Sequence, residues 1–186
     1  NSDIRYSQNG VLGLGANSSA NLKIEKSIIE DIHDNGISLH TGFTNAVIRD
    51  NTVQNIGLLP GMGGISTAAY IGIIARGTGT LIDHNVIRNT GYDGITFGAD
   101  NTVVSNNFIS DFCILKDDGA GIYTNADSKP PRTGQKVINN IVVNGIGNRD
   151  GIKGGGASEA EGIYLDESIS NMEVSGNSIA HIGHTG

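Results

Sequence analysis

One short pattern recurs along the chain and limits its possible folds more than any other sequence feature. Each copy has an anchor residue, with one β-branched residue three positions before it and another two positions after it. The anchors are Ser27, Asn51, Asn85, Asn107, Asn140 and Asn177. A second element recurs between the anchors, at Gly10-Val11, Gly36-Ile37, Gly72-Ile73, Gly94-Ile95, Gly121-Ile122 and Gly162-Ile163. Repetition of this kind is the sequence signature of a solenoid.

The repeated pattern predicts short strands and not helices. Side chains alternate in strand fashion, β-branched residues dominate, and Gly, Asn and Asp separate the runs. Units that run in one direction and cannot bury a face alone stack into parallel sheets. Glycine makes up 28 of the 186 residues and tryptophan is absent, which leaves too little bulky apolar volume for a conventional core. We therefore expect residues 1–186 to form a single all-β solenoid domain of about six coils.

The anchor asparagines are predicted to be structural. An Asn at the same corner of successive coils can pass side-chain hydrogen bonds along the stack and satisfy turn backbone groups that water does not reach. The recurring frame therefore defines a reference spacing for each coil. Functional residues are expected where the coils depart from it.

The departures are insertions at 57–71, 113–120, 125–134 and 147–161. Three of the four leave from the corner between an anchor and the next Gly-Ile pair, and the loop 125–134 lies on the other side of that pair. Insertions in a solenoid map to loops on one face, which is often the binding face. The Gly-Ile strands are thus predicted to form the floor of a groove with loop walls.

Alternation along the Gly-Ile strands predicts which side chains line that floor. The residue after each Ile should point outward, and the residue two positions further on should do the same. The first column is Ser38, Ile74, Thr96, Tyr123 and Tyr164, and the second is His40, Arg76, Gly98, Asn125 and Asp166. Acidic residues concentrate on the later coils, at Asp93, Asp117, Asp118, Glu159 and Glu161.

The Gly-Ile-x-x and Val/Ile-x-x-Asn-x-Ile/Val motifs resemble those of the right-handed parallel β-helix, or pectin-lyase-like, superfamily. The segments Lys116-Asp-Asp-Gly-Ala-Gly-Ile-Tyr-Thr124 and Glu161-Gly-Ile-Tyr-Leu-Asp-Glu167 resemble parts of β-helix glycoside hydrolases and other polysaccharide-active enzymes. The resemblance implies a right-handed parallel β-helix, a polysaccharide or oligosaccharide substrate, and a secreted, cell-surface or periplasmic location. Because the pattern is already under way at both ends, we expect a fragment of a longer helix.

The leading functional hypothesis is hydrolysis of a glycosidic bond by paired carboxyl groups. Such enzymes use one protonated and one ionised carboxyl, and clustering like charges raises the pKa of one of them. The candidate catalytic residues are Asp118, Glu161, Asp166 and Asp93, with Asp118 expected to pair with Glu161 or Asp166. The candidate substrate-binding residues are Tyr123, Tyr164, Arg76, His40, Asp117 and Asn125. No metal ligand is assigned and hydrolysis requires no cofactor, although calcium is a possible addition.

Two alternatives stay open. A calcium-assisted polysaccharide lyase or uronate epimerase would need a base and cations that neutralise the sugar carboxylate. His40, Arg76, Lys116 and Lys153 are available for those roles. A non-catalytic carbohydrate-binding, fibre or adhesin β-helix is the third hypothesis, because a fold does not fix a function.

The formal charge of −7 and the pI near 5.0 argue against binding to nucleic acid or to an anionic membrane, since either partner favours a basic surface. The single Cys113 excludes an intrachain disulfide. The oligomeric state is left open.

Overall fold

The computed structural model describes residues 1–15, 19–126, 132–148 and 159–183, and the part of the chain that it describes contains 21 strands and no helix. The post-anchor sheet consists of β1 (Asp3–Arg5), β5 (Ile28–Ile32), β9 (Thr52–Ile56), β12 (Val86–Thr90), β15 (Phe108–Phe112), β18 (Ile141–Gly145) and β21 (Ser178–Ile182). The Gly-Ile sheet consists of β2 (Val11–Gly13), β6 (Ile37–Leu39), β10 (Ile73–Ala75), β13 (Ile95–Phe97), β16 (Gly119–Asn125) and β19 (Ala160–Asp166). The pre-anchor sheet consists of β4 (Lys23–Glu25), β8 (Val47–Arg49), β11 (Leu81–Asp83), β14 (Val103–Ser105), β17 (Gln135–Ile138) and β20 (Met172–Ser175). A two-stranded sheet pairs β3 (Ser19–Ala20) with β7 (Phe43–Thr44).

The chain visits the three large sheets in the same order, turn after turn. From a post-anchor strand it passes to the Gly-Ile sheet, then to the pre-anchor sheet, and then back to the next post-anchor strand. Neighbours such as β12 and β15, β13 and β16, and β14 and β17 pair in parallel. The predictions of an all-β chain and of parallel sheets are confirmed, and the path is consistent with a parallel β-helix.

The β-branched positions of the repeat form the core. The residues before the anchors pair in register, with Ile82 between Ile48 and Val104, and the residues after them do the same, with Ile87 between Val53 and Ile109. These six side chains are fully buried. Stacking identical positions on successive coils therefore replaces the bulky apolar residues that the composition lacks.

The predicted asparagine ladder is present at the anchor corner. Each Nδ2 group donates to the Oδ1 atom of the next anchor, with donor–acceptor distances of 3.0 Å from Asn51 to Asn85, Asn107, Asn140 and finally Asn177. The same Oδ1 atoms accept hydrogen bonds from the backbone N–H groups of the preceding anchors. The anchors thus satisfy buried turn groups, as expected for structural residues.

Residues 127–131 of the predicted insertion 125–134, residues 149–158 of the insertion 147–161, and Lys153 lie outside the described residues. Within the described ranges, no helix is long and apolar enough to cross a membrane.

Candidate active site on the Gly-Ile sheet

Strand register brings the predicted floor residues together. Ser38, Ile74, Thr96, Tyr123 and Tyr164 occupy equivalent positions on five adjacent strands, as the alternation predicted. Two positions further along, Asn125 is in register with Asp166. Neighbouring parallel strands lie about 4.8 Å apart, so each coil contributes one step of the floor.

Tyr123 is at the centre of the polar contacts on this floor. Its hydroxyl group donates a hydrogen bond of 2.9 Å to Oδ2 of Asp166 on the next coil. Its ring meets that of Tyr164 edge to face, with the ring centroids 5.4 Å apart. Burial, followed by the hydrogen bond to Asp166, raises the pKa of Tyr123 above its ordinary value. The phenol therefore keeps its proton at neutral pH and holds it toward the carboxylate.

Asp93 is the buried carboxyl group of the site, and its side chain is 2% exposed. It precedes Gly94 at the start of β13, where Oδ1 accepts a hydrogen bond of 2.9 Å from the backbone N–H of Ala120 and Oδ2 accepts one of 2.7 Å from the Thr96 hydroxyl. Burial raises the pKa of Asp93 to about 7, although both hydrogen bonds and nearby Lys116 act in the opposite direction. Asp93 is therefore partly protonated near neutral pH.

A cavity of about 280 Å³ opens beside these residues. Tyr123, Asp93 and Asn125 line it, and two arginines, Arg76 and Arg132, line it as well. The loop residues Thr41, Thr67 and Ala68 and the floor residues Ile71, Tyr92, Thr96, Phe97 and Gly98 complete the wall. The predicted residues Arg76, Asn125, Tyr123 and Asp93 thus meet in one place, and that place combines cations, a phenol and a buried acid.

The sequence reading missed Arg132. It follows Pro130 and Pro131 in the insertion 125–134, and its guanidinium group lies over Gly98, where an added Cβ atom would come within 3.2 Å of Nη1. Glycine at 98 therefore leaves the space that the arginine occupies. The sequence offered one signal for this contact: an arginine in the insertion 125–134, together with a glycine, Gly98, in the second outward column of the floor.

Lys116 fixes the wall that the insertion 57–71 contributes. Its ammonium nitrogen lies 4.9 Å from the ring centroid of Tyr70 and 4.8 Å from that of Tyr92, and it donates hydrogen bonds to the carbonyl oxygens of Ser66 and Ala69. Burial lowers the pKa of Lys116. Asn35 adds a second connection, because its Nδ2 group donates to the Ala68 carbonyl oxygen at 3.0 Å.

At the late end of the floor, burial and the nearby charges of Asp166, Asp118, Glu161 and Glu159 raise the pKa of Tyr164. Burial, followed by repulsion from Glu159, Asp166 and Asp117, raises the pKa of Asp118. The Asp118 carbonyl oxygen accepts a hydrogen bond of 2.6 Å from the Tyr92 hydroxyl. The pairing of Asp118 with Glu161 or Asp166 as acid and nucleophile stays a prediction.

Two other candidates have distinct surroundings. The Asp117 carboxylate accepts a hydrogen bond of 2.6 Å from the backbone N–H of Glu159, so it ties the loop ends together. His40 lines a second cavity of about 500 Å³, on the earlier coils. Arg76 lines both cavities, which are therefore neighbours.

Calcium was predicted only as a possible addition to this site. Among the described residues, no group of three or more His, Cys, Asp or Glu side chains is arranged to hold a metal ion. Calcium favours six to eight oxygen ligands. Because backbone carbonyl oxygens and waters supply many of these ligands, a calcium site stays a prediction.

Comparisons with known proteins bear on the fold. No protein-family model matches the chain, and no curated protein matches it. The crystal structure of alginate lyase from Paenibacillus sp. str. FPU-7 does match, with a TM-score of 0.53 and 14% sequence identity over 95% of this chain and 71% of the lyase. At this identity the likeness is one of fold alone.

Proposed function

We propose that the chain is a right-handed parallel β-helix and a polysaccharide lyase that cleaves a uronate-containing polymer in the cavity beside Tyr123. The observation that carries the proposal is the presence of Arg76 and Arg132 in the same cavity as the Tyr123 hydroxyl. The fold likeness to an alginate lyase supports a substrate of this class.

Elimination beside a carboxylate first needs positive charge close to that carboxylate, and the two arginines supply it. Removing the proton from the carbon next to a carboxylate is difficult, because negative charge builds up on a group that is already an anion. Arginine binds a carboxylate through two parallel hydrogen bonds and stays charged at any physiological pH. Arg76 and Arg132 would therefore hold the uronate carboxylate and stabilise the charge that forms on it.

Tyr123 would move the proton. As its oxygen takes the proton from the sugar carbon, its own hydroxyl proton passes to the Asp166 carboxylate, to which it is already hydrogen-bonded. The electron pair of the broken C–H bond forms a carbon–carbon double bond, and the adjacent bond from carbon to the glycosidic oxygen breaks. Asp166 returns the proton through Tyr123 to the departing oxygen, so the protein ends the reaction unchanged.

The second candidate is the glycoside hydrolase that the sequence favoured. One observation supports it: Asp93, with its pKa raised to about 7, is a carboxyl group able to donate a proton near neutral pH. We place it second because Asp93 lies in a cavity with two arginines, which suits an anionic sugar better than it suits a carboxylate pair. In the lyase reaction the arginines take the neutralising role that calcium would otherwise have. A polysaccharide substrate also fits a secreted, cell-surface or periplasmic location, which we propose on that ground.

Incubation with sodium alginate and other polyuronates tests the proposal. A lyase forms a double bond conjugated to the carboxylate, which absorbs ultraviolet light, and it generates one such group for each new reducing end. New reducing ends without this absorbance would identify a hydrolase and overturn the proposal. A change of sugar configuration without cleavage would identify an epimerase, and binding without any chemistry would identify a carbohydrate-binding protein.

A further inference from the structure

The charged side chains on the Gly-Ile sheet divide into two regions along the stack of coils. The cationic side chains Arg76 and Arg132 line the central cavity, and the polar ring of His40 lies on an earlier coil. The late coils carry five carboxylates: Asp117, Asp118, Glu159, Glu161 and Asp166. Burial, followed by repulsion from members of this group, raises the pKa of Asp118 and of Tyr164. An anionic polymer bound at Tyr123 therefore meets attractive charge in one direction and repulsive charge in the other.

The space in the groove follows the same direction. The cavity beside Tyr123 adjoins the cavity of about 500 Å³ on the earlier coils, because Arg76 and Ala68 line both. Leu12, Ser38 and Ile74, which are in register on adjacent strands, form the floor of this second cavity. A spacing of about 4.8 Å between coils is comparable with the length of one sugar residue, so each coil offers a place for one unit.

Two polar side chains of the second cavity, Arg76 and His40, remain available to a ligand. The Arg76 guanidinium group and the His40 ring are exposed, and within the described residues neither makes an ion pair or side-chain hydrogen bond. Burial lowers the pKa of Lys116, and the carboxylate in this lining, Asp34, is close enough to that ammonium group to oppose the shift. The nearby cation offsets the charge of Asp34, which can still accept hydrogen bonds from sugar hydroxyl groups.

From this arrangement we propose that an anionic polysaccharide extends from Tyr123 only toward the earlier coils, so that the protein removes units from a chain end. The proposal rests on the proposed lyase function and adds to it a direction and a mode of attack. The side of the groove over Tyr164 would hold the terminal unit alone, because a longer anionic segment would lie against the five carboxylates.

The first test follows the products of sodium alginate digestion from the earliest times. Attack at chain ends predicts short unsaturated products of uniform length from the start, while the viscosity of the solution falls slowly. A rapid fall in viscosity with early products of many lengths would overturn the proposal.

The second test changes the repulsive end. The double variant Asp118→Asn/Glu159→Gln removes two of the five late charges, and we expect it to release longer products and to lower viscosity faster than the wild type does. The matched control Asp50→Asn/Glu173→Gln removes the same number of charges elsewhere. Asp50 suits this comparison because it has a φ of 57°, close to the 55° of Asp118, and Asn tolerates this conformation well. Identical product lengths from both double variants would contradict the proposal.

A third measurement separates this inference from the proposed reaction, because it needs no turnover. Calorimetric titration with size-defined oligouronates should give affinities that rise with length in the wild type. In His40→Ala the long oligomers should bind about tenfold more weakly, as expected for a lost hydrogen bond to a charged group, while the shortest oligomer is unaffected. This pattern without double-bond formation would refute the lyase and keep the directional groove. Affinities that do not depend on length or on His40 would refute the directional groove, whatever the reaction.

Discussion

The hydroxyl group of Tyr123 on one coil donates a hydrogen bond of 2.9 Å to the carboxylate of Asp166 on the next coil. The two residues are 43 positions apart in sequence, and only the stacking of β16 on β19 brings them together. Because Asp166 is two positions further along its strand than Tyr164, the Tyr123 side chain reaches diagonally across the floor. This contact connects the phenol in the arginine-lined cavity with a group that can hold its proton.

Tyr123→Phe should lower turnover of a polyuronate by about 100- to 10,000-fold, the usual contribution of a positioned proton-transfer group. The ring remains, so the affinity for oligouronates should change little, and kcat should fall with KM nearly unchanged. Tyr164→Phe is the matched control, because it removes the neighbouring phenol oxygen and keeps the edge-to-face ring contact. Equal loss of turnover in both variants would assign the proton transfer to another residue.

Asp93 should make the stability of the protein fall as the pH rises from about 4 to about 7. Its pKa is raised by burial from 3.8 to about 7, so the native state holds its proton more tightly than the unfolded chain does. Above the unfolded pKa the unfolded chain ionises first, and stability is lost until the pH passes the folded pKa. Each pKa unit corresponds to about 1.4 kcal/mol, so the loss amounts to a few kcal/mol.

Urea unfolding at a series of pH values measures this dependence. Asp93→Asn should flatten it, since an amide can accept from the Ala120 N–H and donate to the Thr96 hydroxyl without ionising. Asp50→Asn, which removes a carboxyl group from an exposed corner, should keep the wild-type slope. A wild-type slope in Asp93→Asn would show that other groups cause the dependence.

Much of the scaffold could be predicted from sequence because the same packing and hydrogen-bonding requirements recur on each coil. A buried column accepts only β-branched residues on coil after coil, and the corner beside it accepts an amide that donates and accepts along the stack. Ile82 and Asn85 therefore recur in recognisable form at the same spacing. The register of the floor followed from the same spacing, because side chains alternate along a strand.

The content of the cavity could not be predicted in the same way. Arg132 reaches the floor from an insertion, whose path no repeat fixes, and its guanidinium group lies over Gly98, where a side chain would crowd it. From the sequence alone, Lys116 is one more lysine expected at the surface. In the structure its ammonium group lies close to two tyrosine rings from other coils. The spacing of the acidic residues in the sequence also says nothing about their surroundings. It therefore could not distinguish the buried Asp93 from Asp118, which is exposed.

Lys116→Met should loosen the wall formed by the insertion 57–71. The variant loses contacts with the rings of Tyr70 and Tyr92 and two hydrogen bonds to backbone carbonyl groups. Such contacts contribute about 0.5–2 kcal/mol each, and we expect the free energy of unfolding to fall by about 2 kcal/mol in total. Because Thr67 and Ala68 of the same insertion line the cavity, KM for a polyuronate should rise while kcat changes little.

Lys136→Met is the matched control for this variant. Lys136 is an exposed lysine that pairs with Glu173 at 2.8 Å on the pre-anchor sheet. Exposed pairs of this kind contribute about 0–1 kcal/mol, so its stability and its KM should stay near those of the wild type. A loss of kcat in Lys116→Met with KM unchanged would instead indicate a direct part in the reaction.

Asn107→Ser should destabilise the protein by about 3 kcal/mol, the cost of leaving two or more buried polar groups unsatisfied. The Asn107 amide donates to the Ile82 carbonyl oxygen and to Asn140, and it accepts from the backbone and the side chain of Asn85, all in buried surroundings. A serine hydroxyl is too short to reach these partners together. Ser27 shows what serine achieves at this corner, because among the described residues its hydroxyl meets only the Ser2 N–H and the Glu25 carbonyl oxygen.

The matched variant Asn177→Ser makes the same change at the last position of the ladder. Asn177 has equivalent bonds to Asn140 and Val137, but these bonds are only partly buried, so water can replace the lost amide. Its loss in stability should be about 1 kcal/mol. Denaturant unfolding of both variants decides the point: the ladder stabilises the stack through burial if the central substitution costs more, and equal losses would show that burial is not the cause.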